Sequence, residues 1–223
     1  MKNEIKEISI GWQNAFPDLT RMTPKRFVRI VGCFAVEIYL YDCFSSSYKP
    51  YVILYPLWKE GARNCFDIPY IYREVENRKG LQFSIYYSNN EEFEEAVECT
   101  KRQGTLFNQT DIRIDELFSY IDNYSQDSLV ITRDIEISKL FELKLRCALY
   151  INNGALLKAI KKELLIAVKS WDQEDLNYNY GSFDNWLKEM LSIEIQREEM
   201  LLRIKENLQE KKLKNLRRYE LVK

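Results

Sequence analysis

The stretch from Phe27 to Leu57 constrains the fold more than any other part of the chain. It is the most apolar segment, yet Arg29, Glu37, Asp42 and Lys49 interrupt it. Charges at those intervals argue against a membrane-spanning helix and favour half-buried β-structure. From Phe27 to Tyr41 the residues alternate, with Val28, Ile30, Phe34, Val36, Ile38 and Leu40 assigned to one face and Arg29 and Glu37 to the other. The alternation predicts one strand, bent near Gly32. Residues 42–50 are turn-rich and Tyr51 to Trp58 resumes an extended apolar run, so a hairpin with a long loop is expected.

Around this segment the periodicity is mostly helical. Ile5, Ile8, Trp12 and Phe16 form the stripe of an amphipathic helix ended by Pro17. Asp67 is read as opening a short helix through Ile71, Tyr72 and Val75 that closes at Gly80. Leu81, Phe83, Ile85 and Tyr87 then alternate with polar or exposed partners as a strand. Asn89-Asn90 leads into an acidic helix that finishes on Lys101 and Arg102 before Gly104, and Thr110-Asp111 opens another helix through Ile114, Leu117, Phe118 and Ile121.

Beyond residue 125 the chain reads as mainly helical, with Leu129-Val130-Ile131 fitting either strand or helix. Ile137 to Leu149 and Leu157 to Trp171 form a helical hairpin about Asn152-Asn153-Gly154. A polar, aromatic loop from Asp172 to Gly181 precedes a last helix from Ser182 towards Tyr219. The expected fold is α+β, with a small, mainly antiparallel sheet of about three strands in the N-terminal half. The C-terminal half is expected to be helical and to end in a long amphipathic charged helix. Residues 1–125 form the α+β region of this reading, and 126–223 a helical region on the same core.

Composition narrows the chemistry. The chain contains no histidine, which removes Ser-His-Asp and Cys-His nucleophile activation, histidine zinc motifs and histidine pH switches. No phosphate-cradling glycine motif occurs among its 7 glycines, and no cofactor or metal is indicated. The 33 Lys+Arg balance 34 Asp+Glu, so there is no global positive field to collect nucleic acid. The charged first residues and 5 scattered cysteines lead to the expectation of a cytoplasmic protein with unpaired thiols, Cys33 among them as a small buried hydrophobe.

Four groups of residues carry candidate chemistry. Glu91, Glu92, Glu94 and Glu95 offer an acidic surface for a basic partner, although glutamates also stabilise the N-terminus of their own helix. Trp171, Asp172, Glu174, Asp175, Tyr178 and Tyr180 combine aromatic anchors with acids on the expected connection, the composition of a partner-binding loop; aromatics beside helices also pack inward. Lys211, Lys212, Lys214, Arg217 and Arg218 form a basic cluster suited to phosphates or to a solvated helix end. Glu142-Leu143-Lys144 matches the E-x-K form of the metal-dependent nuclease fold in three residues, on a helical stripe where that fold needs a strand.

Arg29 to Phe34, Tyr48 to Leu57 with its Tyr-x-Pro turn Tyr48-Lys49-Pro50, and Gln82 to Tyr87 resemble uncharacterised small bacterial proteins of toxin-immunity loci over residues 27–103. Where those proteins have histidines in the strand region this chain has Leu54 and Tyr55, so no functional residues carry over. The missing histidine, the absent nucleotide and metal motifs and the acidic aromatic loop lead to the expectation of a non-catalytic protein-binding protein, and the resemblance implies an immunity protein that neutralises a cognate toxin. The alternatives are a nucleic-acid-associated protein acting through the basic C-terminal cluster and a metal-dependent hydrolase at Glu142 and Lys144.

Overall fold

A two-residue turn sets the architecture. Val31 pairs with Phe34, so Gly32 and Cys33 reverse the chain and the single bent strand expected from the sequence is an antiparallel hairpin, β2 (Arg26–Val31) and β3 (Phe34–Cys43). The computed structural model describes residues 2–43, 46–89, 91–107 and 109–223. Phe44 and Ser45 of the expected loop, and Asn90 ahead of the acidic helix, lie outside the described residues.

The sheet is larger than expected. Its strand order is β1 (Thr20–Thr23), β2, β3, β4 (Ser47–Pro56) and β5 (Ile71–Glu74), with β6 (Ile85–Tyr86) pairing β4 and β8 (Arg218–Tyr219) pairing β2. These are seven strands, not about three. A second sheet joins β7 (Ile112–Arg113) to β9 (Leu221–Val222) in parallel. Residues 71–74, expected in a helix, are strand because Ile71 to Glu74 pair with Leu54 to Tyr51. The strand expected over 81–87 is reduced to β6 and a bridge between Glu76 and Gln82.

The turn also decides which face each charge takes. Val28 pairs with Glu37 and Arg29 with Val36, so Arg29 and Glu37 point to opposite faces, and Val28 and Ile30 share a face with Glu37 rather than with Val36. Arg29 faces the main core. Its guanidinium is fully buried, donates to the Leu106 carbonyl and lies 4.9 Å from the Tyr219 ring. Burial holds its pKa below the ordinary arginine value.

Helix α1 (Lys2–Ala15) and α3 (Phe93–Gln103) cover this face. Trp12 stacks on Phe16, meets Phe93 edge-on and donates to the Tyr48 hydroxyl at 3.2 Å. The single turns α2 (Ala62–Cys65) and α5 (Ser128–Ile131) come before α3 and after α4 (Ile114–Ser125), and α5 settles residues 129–131 as helical. Helix α4 starts at Ile114, later than expected, because Ile112 and Arg113 are taken by β7 and Asp111 accepts the Glu220 N–H at 2.9 Å.

The helical hairpin is present as α6 (Asp134–Tyr150) and α7 (Gly154–Ala167). The segment expected as a loop is α8 (Gln173–Tyr180): the Asp172 carboxylate accepts from the Glu174 and Asp175 N–H groups and starts a helix that buries Leu176. The expected long last helix is α9 (Phe183–Leu191) and α10 (Arg197–Asn207), separated by a 3₁₀ turn at Ile193–Gln196. It stops at Asn207, whose buried amide donates to the Leu57 and Lys59 carbonyls at 2.9 and 2.7 Å. The chain then turns back, burying Leu213, Leu216 and Leu221, and contributes β8 and β9. One contiguous core joins residues from both halves of the sequence.

Gly32 has φ +51 and donates its N–H to the Tyr219 carbonyl at 3.0 Å. A Cβ there would stand 2.8 Å from Leu221 Cβ and 2.9 Å from Tyr150 Cε1. Gly32→Ala therefore combines backbone strain with displacement of the C-terminal strand, and an expected loss of about 1–3 kcal/mol. Urea unfolding measures it; an unchanged midpoint would show that β9 moves aside without cost.

Candidate functional site

The face of the sheet opposite α1 is half closed. Near the β2–β3 turn Val28, Ile30, Ala35, Ile53 and Tyr55 are buried, with Phe66 4.8 Å from the Tyr55 ring. Farther along the same face the core gives way to tyrosine. Tyr39 and Tyr41 from β3, Tyr51 from β4 and Tyr72 from β5 share this face through the registers Tyr39 with Tyr51, Tyr41 with Lys49, and Ile53 with Tyr72.

Their rings make a continuous surface. Centroids lie 6.1 Å apart for Tyr39 and Tyr41, 5.9 Å for Tyr41 and Tyr51, and 4.6 Å for the stacked pair Tyr51 and Tyr72. Tyr41 and Tyr72 remain 45% and 43% exposed, high values for large aromatics on a paired sheet. The Tyr124 hydroxyl, accepting the Tyr72 N–H at 3.3 Å, ties β5 to α4 and fixes the rim of the surface.

The charges beside the tyrosines are paired. The Glu37 carboxylate is fully buried and held by Arg26 Nε and Nη2 at 2.5 and 2.7 Å, while the Arg26 guanidinium also lies over the Tyr39 and Phe66 rings. Glu74 accepts from the Tyr51 hydroxyl at 2.8 Å and pairs with Lys49 at 2.8 Å. Burial, then the Glu74 hydrogen bond, pushes the Tyr51 phenol up; burial, then Tyr39 and Tyr41, pushes Tyr72 up to about 12. These phenols stay protonated at neutral pH and act as neutral donors on an aromatic, charge-balanced surface.

The residues singled out from the sequence do not gather into one site. Glu92 precedes α3 as its N-cap, and Glu95 and Glu98 are engaged by the Arg78 backbone N–H and guanidinium. Glu94 and Glu92 line the same shallow groove beside Lys79, while Glu91 precedes the helix as an exposed residue. Trp171 is buried among Phe141, Phe183 and Trp186, and Tyr180 stacks on Trp186 while its hydroxyl meets Ser138 at 2.7 Å. Asp172 caps α8, Asp175 accepts from Asn179, Glu174 is exposed, and Tyr178 stands 87% exposed.

The basic cluster is not on a helix. Lys211, Lys212 and Lys214 lie on exposed turns after α10, Arg217 faces Asp18 at 3.5 Å, and Arg218 in β8 donates to the Leu208 carbonyl at 2.8 Å. Glu142 and Lys144 are on α6 and turn to different neighbours, Glu142 to Arg146 at 3.5 Å and Lys144 to Asp122. Among the described residues no group of histidine, cysteine or carboxylate side chains could hold a metal ion, and no helix is long and apolar enough to cross a membrane.

Sequence reading missed Tyr39, Tyr41 and Tyr72 as surface residues. The spacing of Tyr39 and Tyr41 about the buried Leu40 was the available signal, since alternate residues share a face. No protein-family model matches the chain, and no curated protein or solved structure matches it significantly.

Proposed function

We propose that this chain is a non-catalytic protein-binding protein that receives its partner on the tyrosine face of the sheet. The observation that carries the reading is the contiguous set Tyr39, Tyr41, Tyr51 and Tyr72, left partly open on a rigid sheet. Tyrosine contributes large contact area and a hydroxyl donor at the cost of few rotatable bonds, which is why it dominates binding hot spots. The flanking pairs of Arg26 with Glu37 and Lys49 with Glu74 supply a polar rim around that centre.

Stacked aromatics also suit nucleic-acid bases, but those platforms work beside a positively charged groove that follows the phosphates. Here the cations beside the tyrosines, Arg26 and Lys49, are each paired with a carboxylate, so a protein surface fits better. The resemblance to toxin-immunity proteins makes a secreted bacterial toxin the first partner class to test.

Tyr41 and Tyr72 are exposed enough to truncate without opening the core. The double variant Tyr41→Ala, Tyr72→Ala is expected to weaken a partner captured by the wild-type chain by at least about 30-fold. Tyr178→Ala, at a more exposed position away from this face, is expected to bind as wild type. Parallel affinity purification from native cells and titration of the recovered partner provide the measurement. Equal retention by the double variant, or recovery of nucleic acid alone, overturns the reading.

A further inference from the structure

A separate cleft lies on the other side of β5. It encloses about 650 Å³ between the C-terminal end of α3, the 3₁₀ turn Thr105–Phe107, β5 and α4, within the usual range of small-molecule sites. Arg73 and Arg102 line it with Gln103, Ser119 and Asn123. The Leu106, Ile112 and Tyr120 side chains supply an apolar base.

The hydrogen-bonding capacity of this lining is lopsided. Its two acids are already satisfied: Asp115 takes both arms of the Arg113 guanidinium, at 3.0 and 2.9 Å. Glu116 accepts from Gln109 Nε2 at 3.0 Å and from the Arg113 N–H at 3.4 Å. The cations are not. Among the described residues neither Arg73 nor Arg102 has a carboxylate partner; Arg73 donates to Asn123 Oδ1 at 3.1 Å and Arg102 to the Cys99 sulfur at 3.4 Å. The Tyr120 hydroxyl is buried beside Arg73 and, among the described residues, has no acceptor for its proton. Unspent donors in one cleft, with its acceptors occupied, select an acceptor-rich ligand.

We infer that this cleft binds a small organic oxyanion, a carboxylate or phosphate monoester carrying a short apolar or aromatic body, held by the Arg73 and Arg102 guanidiniums and the Tyr120 hydroxyl. The body lies on Leu106 and Ile112. The inference is independent of the tyrosine face, which uses other side chains.

The test is titration of the ¹⁵N-labelled chain with phenyl phosphate, with benzoate and with benzylamine as the opposite-charge control. Saturable shifts of the amides of residues 102–106 and 115–123 are expected for at least one oxyanion below about 10 mM, and none for benzylamine. The tighter of the two oxyanions identifies whether phosphate or carboxylate is the natural group. Arg102→Gln, at an exposed position, is expected to weaken binding about tenfold, Arg73→Gln similarly, and Tyr120→Phe about threefold. Absence of saturable shifts with both oxyanions, binding of benzylamine at the same amides, or full affinity in Arg102→Gln overturns the assignment. Because Arg102 is exposed, that variant keeps the test valid even if Arg73→Gln unfolds.

Discussion

Arg26→Gln is expected to destabilise the protein by about 3–5 kcal/mol at pH 7, because it strands a buried carboxylate. Glu37 has no exposed side-chain surface, and both of its oxygens are held by the Arg26 guanidinium. Burial raises the Glu37 pKa above 4.5, and the Arg26 hydrogen bonds and charge pull against that rise. Glutamine removes this opposition together with the stacking of the guanidinium on Tyr39 and Phe66.

The pH dependence follows from the direction of the shift. A carboxyl whose folded pKa lies above its unfolded value binds more protons in the native state, so stability falls as pH rises from the unfolded to the folded pKa. The variant widens that window. Its deficit relative to wild type is therefore expected to be largest at neutral pH and to shrink as Glu37 is protonated towards pH 4.5 and below. Urea midpoints of both proteins at pH 4 and pH 7 measure this; a deficit independent of pH would show that Arg26 contributes through packing alone.

Trp12→Ala is the second large effect, an expected loss of about 3–5 kcal/mol. Trp12 is wholly buried between α1 and the sheet, in ring contact with Phe16 and Phe93 and hydrogen-bonded to Tyr48. Truncation removes a bicyclic ring from Phe16 just beyond α1, Phe93 on α3 and Tyr48 on β4, and the packed surroundings collapse only in part. Denaturant unfolding with an unchanged m-value and a midpoint lowered accordingly is the expected result. A loss below about 1 kcal/mol would mean that α1 contributes little to the core.

The elements legible in the sequence are those with one apolar stripe. Ile8, Trp12 and Phe16 marked α1, and the two stripes about Asn152-Asn153-Gly154 marked the α6–α7 hairpin, because a helix with one wet side repeats visibly. The β2–β3 turn was hidden for the opposite reason. Both faces of these strands are buried near Gly32, so apolar residues run through the turn without a break. Ile71, Tyr72 and Val75 satisfy helical and extended spacing alike, and only pairing with β4 decides between them. Leu213 and Leu216 likewise continue a helical stripe, although they lie in the returning chain.

The candidate site inherited these ambiguities. Tyr39 and Tyr41 could be placed on one face from spacing, but Tyr72 joins them only once 71–74 is known to be strand. The aromatic residues around 171–180 looked like an open connection, whereas the Asp172 cap folds them into a helix that turns Trp171 and Tyr180 inward.

The parallel pairing of β8 with β2 also shapes how the protein is born. Ile30 and Gly32 donate to the carbonyls of Arg217 and Tyr219, partners about 190 residues downstream in the chain. On the ribosome the hairpin emerges well before residues 217–219 and leaves that edge unpaired until they follow, with the apolar surface that Leu213, Leu216 and Leu221 later cover open to other chains. Until residues 213–222 have emerged that edge and surface stay open, so a fragment ending shortly before residue 217 is expected to be aggregation-prone.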